Sequence, residues 1–179
     1  MHKTKIQNHN ATRKFLHWSI AALVLIQLPL GLYTVSLSNE DIWYYRCLDI
    51  HQLTGLILFF LAAVVFLRQF ITPIPHSEIG PVQRVAAYVS HRTLALILLV
   101  QPILGYLFVT AWGDPLEIYS IIEIPAITEF DKPTSERIID THAYLAYGLA
   151  ALSALHIMAA LKHHYISRNS ILTRMLPGK

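Results

Sequence analysis

Apolar residues are gathered into four long runs along this chain: Phe15 to Leu37, His51 to Leu67, Thr93 to Trp112, and Ile138 to Leu161. A helix crosses the hydrocarbon core of a bilayer with about 20 consecutive apolar residues, so each run predicts a transmembrane span. With their flanks, the predicted helices cover residues 15–37, 43–68, 86–112 and 138–165. The second run is short if read strictly. Trp43, Tyr44 and Tyr45 precede it as interfacial aromatics, however, and Arg68 closes it as a snorkelling anchor. The first run follows Lys3, Lys5, Arg13 and Lys14 and ends at Ser36-Leu37-Ser38, which resembles a cleaved signal, but its apolar stretch is too long for one. No internal repeat or low-complexity segment stands out, and the connecting loops are too short for a separate soluble domain. The expected fold is all-α: a four-helix transmembrane bundle forming one domain over residues 1–179.

Composition agrees with a membrane class, since 54% of the 179 residues are hydrophobic, only 14% are charged, and the mean hydropathy is +0.45. The charges also orient the bundle. Lys3, Lys5, Arg13, Lys14, Arg68, Arg84, Arg92, Lys162, Arg168, Arg174 and Lys179 fall on one side of the four spans, and Arg46, Lys132 and Arg137 on the other. Positive residues favour the cytoplasm, so both termini are expected inside (N-in, C-in). Every acidic residue except Glu78 then lies outside, most of them between Gly113 and Arg137. The net charge of +3 therefore conceals two faces of opposite sign. It points to anionic lipid headgroups on the basic face, not to nucleic acid. Cys47 is the only cysteine, which excludes an internal disulfide and a thiolate-held cluster within one chain.

The chemistry must then rest on the ten histidines. His17, three residues after Lys14, and His156, six before Lys162, lie at one depth, at the inner ends of the first and fourth helices. His51 and His142, each two residues after an aspartate (Asp49 and Asp140), lie at the opposite depth. His142 and His156 are fourteen residues apart, close to four helical turns, so they share one face and stand roughly 21 Å apart along the axis. Ala146 and Ser153, on that face between them, are small enough to admit a flat macrocycle. An ionisable side chain in a membrane is expensive unless paired or functional. An imidazole on each side of a haem iron removes the cost by coordination and leaves no open iron position, which suits electron transfer. Each histidine taken alone reads equally well as an interfacial residue bonded to a carbonyl or headgroup. Two depth-matched pairs are harder to explain that way, and the spans lack the mid-membrane carboxylates expected of a metal carrier. His91 and His163 (with His164) crowd the inner level and are candidates for a quinone headgroup or a haem propionate. Arg68, Arg84 and Arg92 are candidates for propionate contacts. His2, His9 and His76 are expected to be solvated.

With His17-Trp18, His51, His142 and His156 in place, the chain resembles the bacterial di-haem cytochromes b561, relatives of the cytochrome b subunits of formate dehydrogenases and hydrogenases. The most specific piece is the run from His156 to Tyr165 followed by Leu172-Thr173-Arg174-Met175-Leu176-Pro177; His91, Pro102 and Gly105 resemble the family's third helix. The resemblance implies two haems b, held by His17 with His156 on the cytoplasmic side and by His51 with His142 on the periplasmic side. It further implies a multi-pass protein of the bacterial inner membrane that exchanges electrons with ubiquinone. In one branch of the family it implies superoxide oxidation at the outer face, an oxidoreductase activity. The sequence leaves open the periplasmic electron donor, whether the chain is itself an enzyme, and whether it forms a homo-oligomer. Two rival functions also stand: an anchor subunit of a dehydrogenase or hydrogenase complex, and a haem-free metal or proton carrier.

Overall fold

The computed structural model describes residues 11–71 and 79–176. Four long helices run up and down: α1 (Ala11–Ser36), α2 (Ile42–Ile71), α3 (Pro81–Val109) and α4 (Lys132–Tyr165). A short α5 (Ile171–Met175) follows. All four long helices have the length and hydropathy to cross a membrane. Their packed centre is narrow, built from Val24, Leu58, Ala62, Leu98 and Leu149. The outward faces are apolar too, with Leu25, Phe60, Leu96 and Leu155 all more than half exposed. A helix that is apolar all round is stable only where lipid covers the outside. The chain is therefore a membrane-embedded four-helix bundle whose outer surface meets lipid.

Helix starts follow local chemistry that apolar runs do not reveal. α3 begins at Pro81, where proline's missing N–H costs nothing in the first turn. This adds about one exposed turn ahead of the predicted start. α4 begins at Lys132, because the Asp131 carboxylate accepts from the Thr134 N–H at 3.1 Å and Pro133 occupies the first turn. Hydrogen bonding from Thr134 holds the Asp131 carboxyl below the usual carboxylate range.

Consecutive helices pack extensively, α1 on α2, α2 on α3 and α3 on α4, whereas α4 makes no comparable contact with α1 or α2 among the described residues. The two ends of the bundle differ. At the terminal end, α5 folds back so that Lys14 Nζ donates to the Leu176 carbonyl (3.0 Å) and Trp18 Nε1 to the Met175 carbonyl (2.7 Å). At the other end, the α3–α4 connection contains an antiparallel hairpin of β1 (Leu116–Ile118) and β2 (Ile122–Ile124), an addition to the all-α expectation. Leu116 and Ile118 are buried beneath it, and the Asp49 carboxylate accepts from the Tyr119 N–H at 3.2 Å. The hairpin is thereby tied to α2 two residues before His51.

Candidate functional site

Helical periodicity on α4 presents His142 and His156 to the side where α4 stands off α1 and α2. Each ring meets a partner across that gap. At the terminal end, the His17 and His156 ring centroids are 6.2 Å apart; at the hairpin end, those of His51 and His142 are 6.3 Å apart. All four rings are half-buried. A metal–imidazole bond is about 2 Å long, so two imidazoles ligating one metal ion from opposite sides have centroids separated by about 6 Å. Both pairs have that separation, and both span the loosest seam in the bundle. The small residues Ala146 and Ser153 lie along α4 between the two levels. The arrangement fits a flat iron macrocycle at each level.

The hairpin-end rings are also held from behind. His142 Nδ1 lies 3.0 Å from the Gln101 main-chain oxygen on α3. With Nδ1 protonated it donates there, which leaves Nε2 as the metal-binding nitrogen. The ring lies in a notch at Gly105, where a β-carbon would sit 3.3 Å from His142 Cε1. His51 lies in a matching notch on α1, where a β-carbon at Gly31 would sit 3.0 Å from its Cε1. The buried His51 Nδ1 has no hydrogen-bond partner among the described residues, but the His51 backbone is fixed: Gln27 Nε2 donates to the His51 carbonyl (2.9 Å) while Thr54 Oγ1 donates to Gln27 Oε1 (2.6 Å). Gln27, Gly31, Gln101 and Gly105 as supports of the ring pair are absent from the sequence-level site.

The remaining sequence candidates cluster at the terminal end. His91 stacks edge-on against His156, with centroids 5.2 Å apart. His163 Nδ1 pairs with Asn169 Nδ2 at 3.1 Å, at the turn into α5. Arg92 is engaged between α2 and α3: its guanidinium lies over the Phe70 and Tyr88 rings, 4.7 and 4.9 Å from their centroids, and donates to the Gln69 carbonyl at 3.0 Å. Arg68 lies in the last turn of α2 and Arg84 on the exposed first turns of α3. His2, His9 and His76 lie outside the described residues.

Comparison with known proteins places these features. The chain is 33% identical over 162 residues to the Escherichia coli protein named cytochrome b561 homolog 2, an alignment covering 89% of this chain and 86% of the relative. It is 25% identical over 167 residues to a Yersinia pestis protein named "Probable superoxide oxidase CybB", covering 92% and 93% of the two chains. It is also 27% identical over 169 residues to the cytochrome b562 of Cereibacter sphaeroides, covering 90% of each. The family model described as prokaryotic cytochrome b561 matches residues 8–178. The chain therefore belongs to the prokaryotic cytochrome b561 family and is a multi-pass electron-transfer protein of the bacterial inner membrane.

Proposed function

We propose that the chain holds two haems b, one between His17 and His156 and one between His51 and His142, and relays electrons between a donor at the hairpin end and quinone at the terminal end. The observation that carries this reading is the pair of facing imidazoles at each of two depths, 6.2 and 6.3 Å apart, on opposite sides of the seam beside α4. Two histidines at each level would hold the haem and leave no open position for a substrate, so the group would supply electron transfer. The haems supply the redox chemistry, and the protein sets their separation, burial and potentials. The charge asymmetry supports an orientation with both termini in the cytoplasm and the hairpin in the periplasm. The imidazoles of His91 and His163 at the terminal end can hydrogen-bond a quinone carbonyl, and Arg68, Arg84 and Arg92, toward the same end of the bundle, are candidates to pair haem propionates.

Superoxide is the donor favoured by the name of the Yersinia pestis relative. On this reading, Arg46, Lys132 and Arg137 are the cations available to draw an anion to a face that otherwise carries mostly carboxylates. The test is made on purified chain in liposomes containing ubiquinone. Superoxide generated outside should reduce both haems and yield quinol. If superoxide leaves the haems oxidised, the donor is another molecule. If no donor reduces quinone without an added dehydrogenase or hydrogenase subunit, the chain is an anchor.

A further inference from the structure

The bundle is a doubled helical hairpin. α1 and α3 share the pattern His-x9-Gln-x2-Leu-Gly, at His17, Gln27, Leu30 and Gly31 and again at His91, Gln101, Leu104 and Gly105. α2 and α4 share Asp-x-His-x6-Leu, at Asp49, His51 and Leu58 and again at Asp140, His142 and Leu149. The packing repeats as well. Leu58 and Leu149 are both 4% exposed, and Val24 and Leu98, each three residues before its glutamine, are both 7% exposed. All four meet in the one core.

This correspondence sorts the histidines. His51 and His142 are equivalent positions that face one another, so the hairpin-end pair lies where the two halves meet. The terminal-end pair is not symmetric. His17 corresponds to His91, and the counterpart of His156 on α2 is Val65. Only the hairpin-end pair is therefore served by the same glutamine and glycine in both halves.

In each half the glycine lies where the imidazole enters. The Cε1–Nδ1 edge of His51 faces Gly31, and the same edge of His142 faces Gly105. A β-carbon at either position would approach the ring to 3.0 or 3.3 Å, tighter than ordinary contact, so the ring would have to move by a few tenths of an ångström. The glutamine four residues earlier, one turn down the helix, supplies the hold. Gln101 does so through its main-chain oxygen on His142 Nδ1, and Gln27 through its side chain on the His51 carbonyl, braced by Thr54.

We infer that the glutamine–glycine pair repeated on α1 and α3 is the seat of the two hairpin-end imidazoles, with Gln27, Gly31, Gln101 and Gly105 acting as positioning residues for that haem alone. The inference rests on the two-haem reading. An imidazole whose second nitrogen donates to a carbonyl is a more basic ligand and favours ferric iron. The Gln101 contact therefore holds the hairpin-end potential down, and displacing the His142 ring raises it.

The test compares Gly31→Ala, Gly105→Ala and a control, Gly148→Ala, whose added β-carbon meets nothing among the described residues within 4 Å. Two readouts are taken on detergent-purified protein: haem loss to excess apomyoglobin, and an optical redox titration. Each seat variant should release the hairpin-end haem roughly 10- to 100-fold more readily, the usual cost of losing support behind a metal-bound histidine. The His17–His156 haem should stay in place, Gly105→Ala should shift the hairpin-end potential upward, and Gly148→Ala should match the wild type. Unchanged release and unchanged potentials in the seat variants would overturn the inference. Loss of both haems would mean an unfolded variant, and pulsed EPR of the ferric wild type then decides. The remote nitrogen of one hairpin-end imidazole should carry the quadrupole coupling of an N–H bonded to a carbonyl; unbonded couplings on both ligands would overturn the seat. A wild type without a hairpin-end haem would overturn the two-haem reading itself, which the starting spectrum reveals before any variant is made.

Discussion

Substituting His142 by alanine separates the two haem levels most cleanly. In the protein without haem, the change removes one half-buried ring and its 3.0 Å contact with the Gln101 oxygen. A hydrogen bond of this kind contributes about 1 kcal/mol, small against the roughly 5–15 kcal/mol that holds a domain together, so the bundle should still fold. The ligand loss is decisive only at one level. His156 lies fourteen residues away on the same helix, roughly 21 Å along the axis, beyond reach of any rearrangement at position 142. His51 would then face an alanine methyl, and one axial bond would remain where there were two. The expected result is a fall from two haems b per chain to one, measured by pyridine haemochrome, with the reduced α-band near half its height per chain. The redox titration should collapse to a single wave. His156→Ala should remove the other haem and leave the hairpin-end one. If His142→Ala kept two haems with unchanged spectra, His142 would not be a ligand and the pairing across the seam would be wrong.

Two other perturbations test the fold that holds the site. Leu58 is nearly fully buried at the bundle centre, so Leu58→Ala should cost about 2–5 kcal/mol and lower the temperature at which both haems are released together; an unchanged release temperature would place the packed centre elsewhere. Asp131 bears on pH. Because hydrogen bonding lowers its carboxyl in the folded state, its contribution is complete above the ordinary value of 3.8 and is lost as pH falls through the lowered one. Protection against hydrogen exchange in the first turn of α4, taken relative to the intrinsic rate at each pH, should therefore fall in acid in the wild type and lose that dependence in Asp131→Asn.

The parts of this protein that were legible in the sequence are those carried by long-range patterns. The four spans follow from apolar runs, because lipid demands about 20 such residues wherever a helix crosses. The pairing of histidines by depth follows from fixed helical rise. The hairpin was not legible. Its turn places Tyr119 and Ser120 at positive φ, 52° and 54°, in positions where Asn-Gly or Gly-Gly is the usual signature. What stabilises that turn is tertiary, the Asp49 carboxylate on the Tyr119 N–H, and no local signal announces it. The doubled pattern was hidden for a different reason. It consists of single residues spread over two helices, amid apolar positions that lipid leaves free to vary, and Gly31 and Gly105 gain meaning only when a ring from the next helix is seen against each. Arg92 was legible by type as a propionate candidate, but not its packing, which sets the guanidinium against two aromatic faces and a carbonyl.

The central claim is that each facing histidine pair holds one haem, and the most direct measurement is haem b per chain in the detergent-purified, haem-replete protein, with oxidised and dithionite-reduced spectra. The account predicts two low-spin haems b per chain, titrating as two components. One haem per chain, or a folded protein without haem that binds zinc tightly instead, would contradict it.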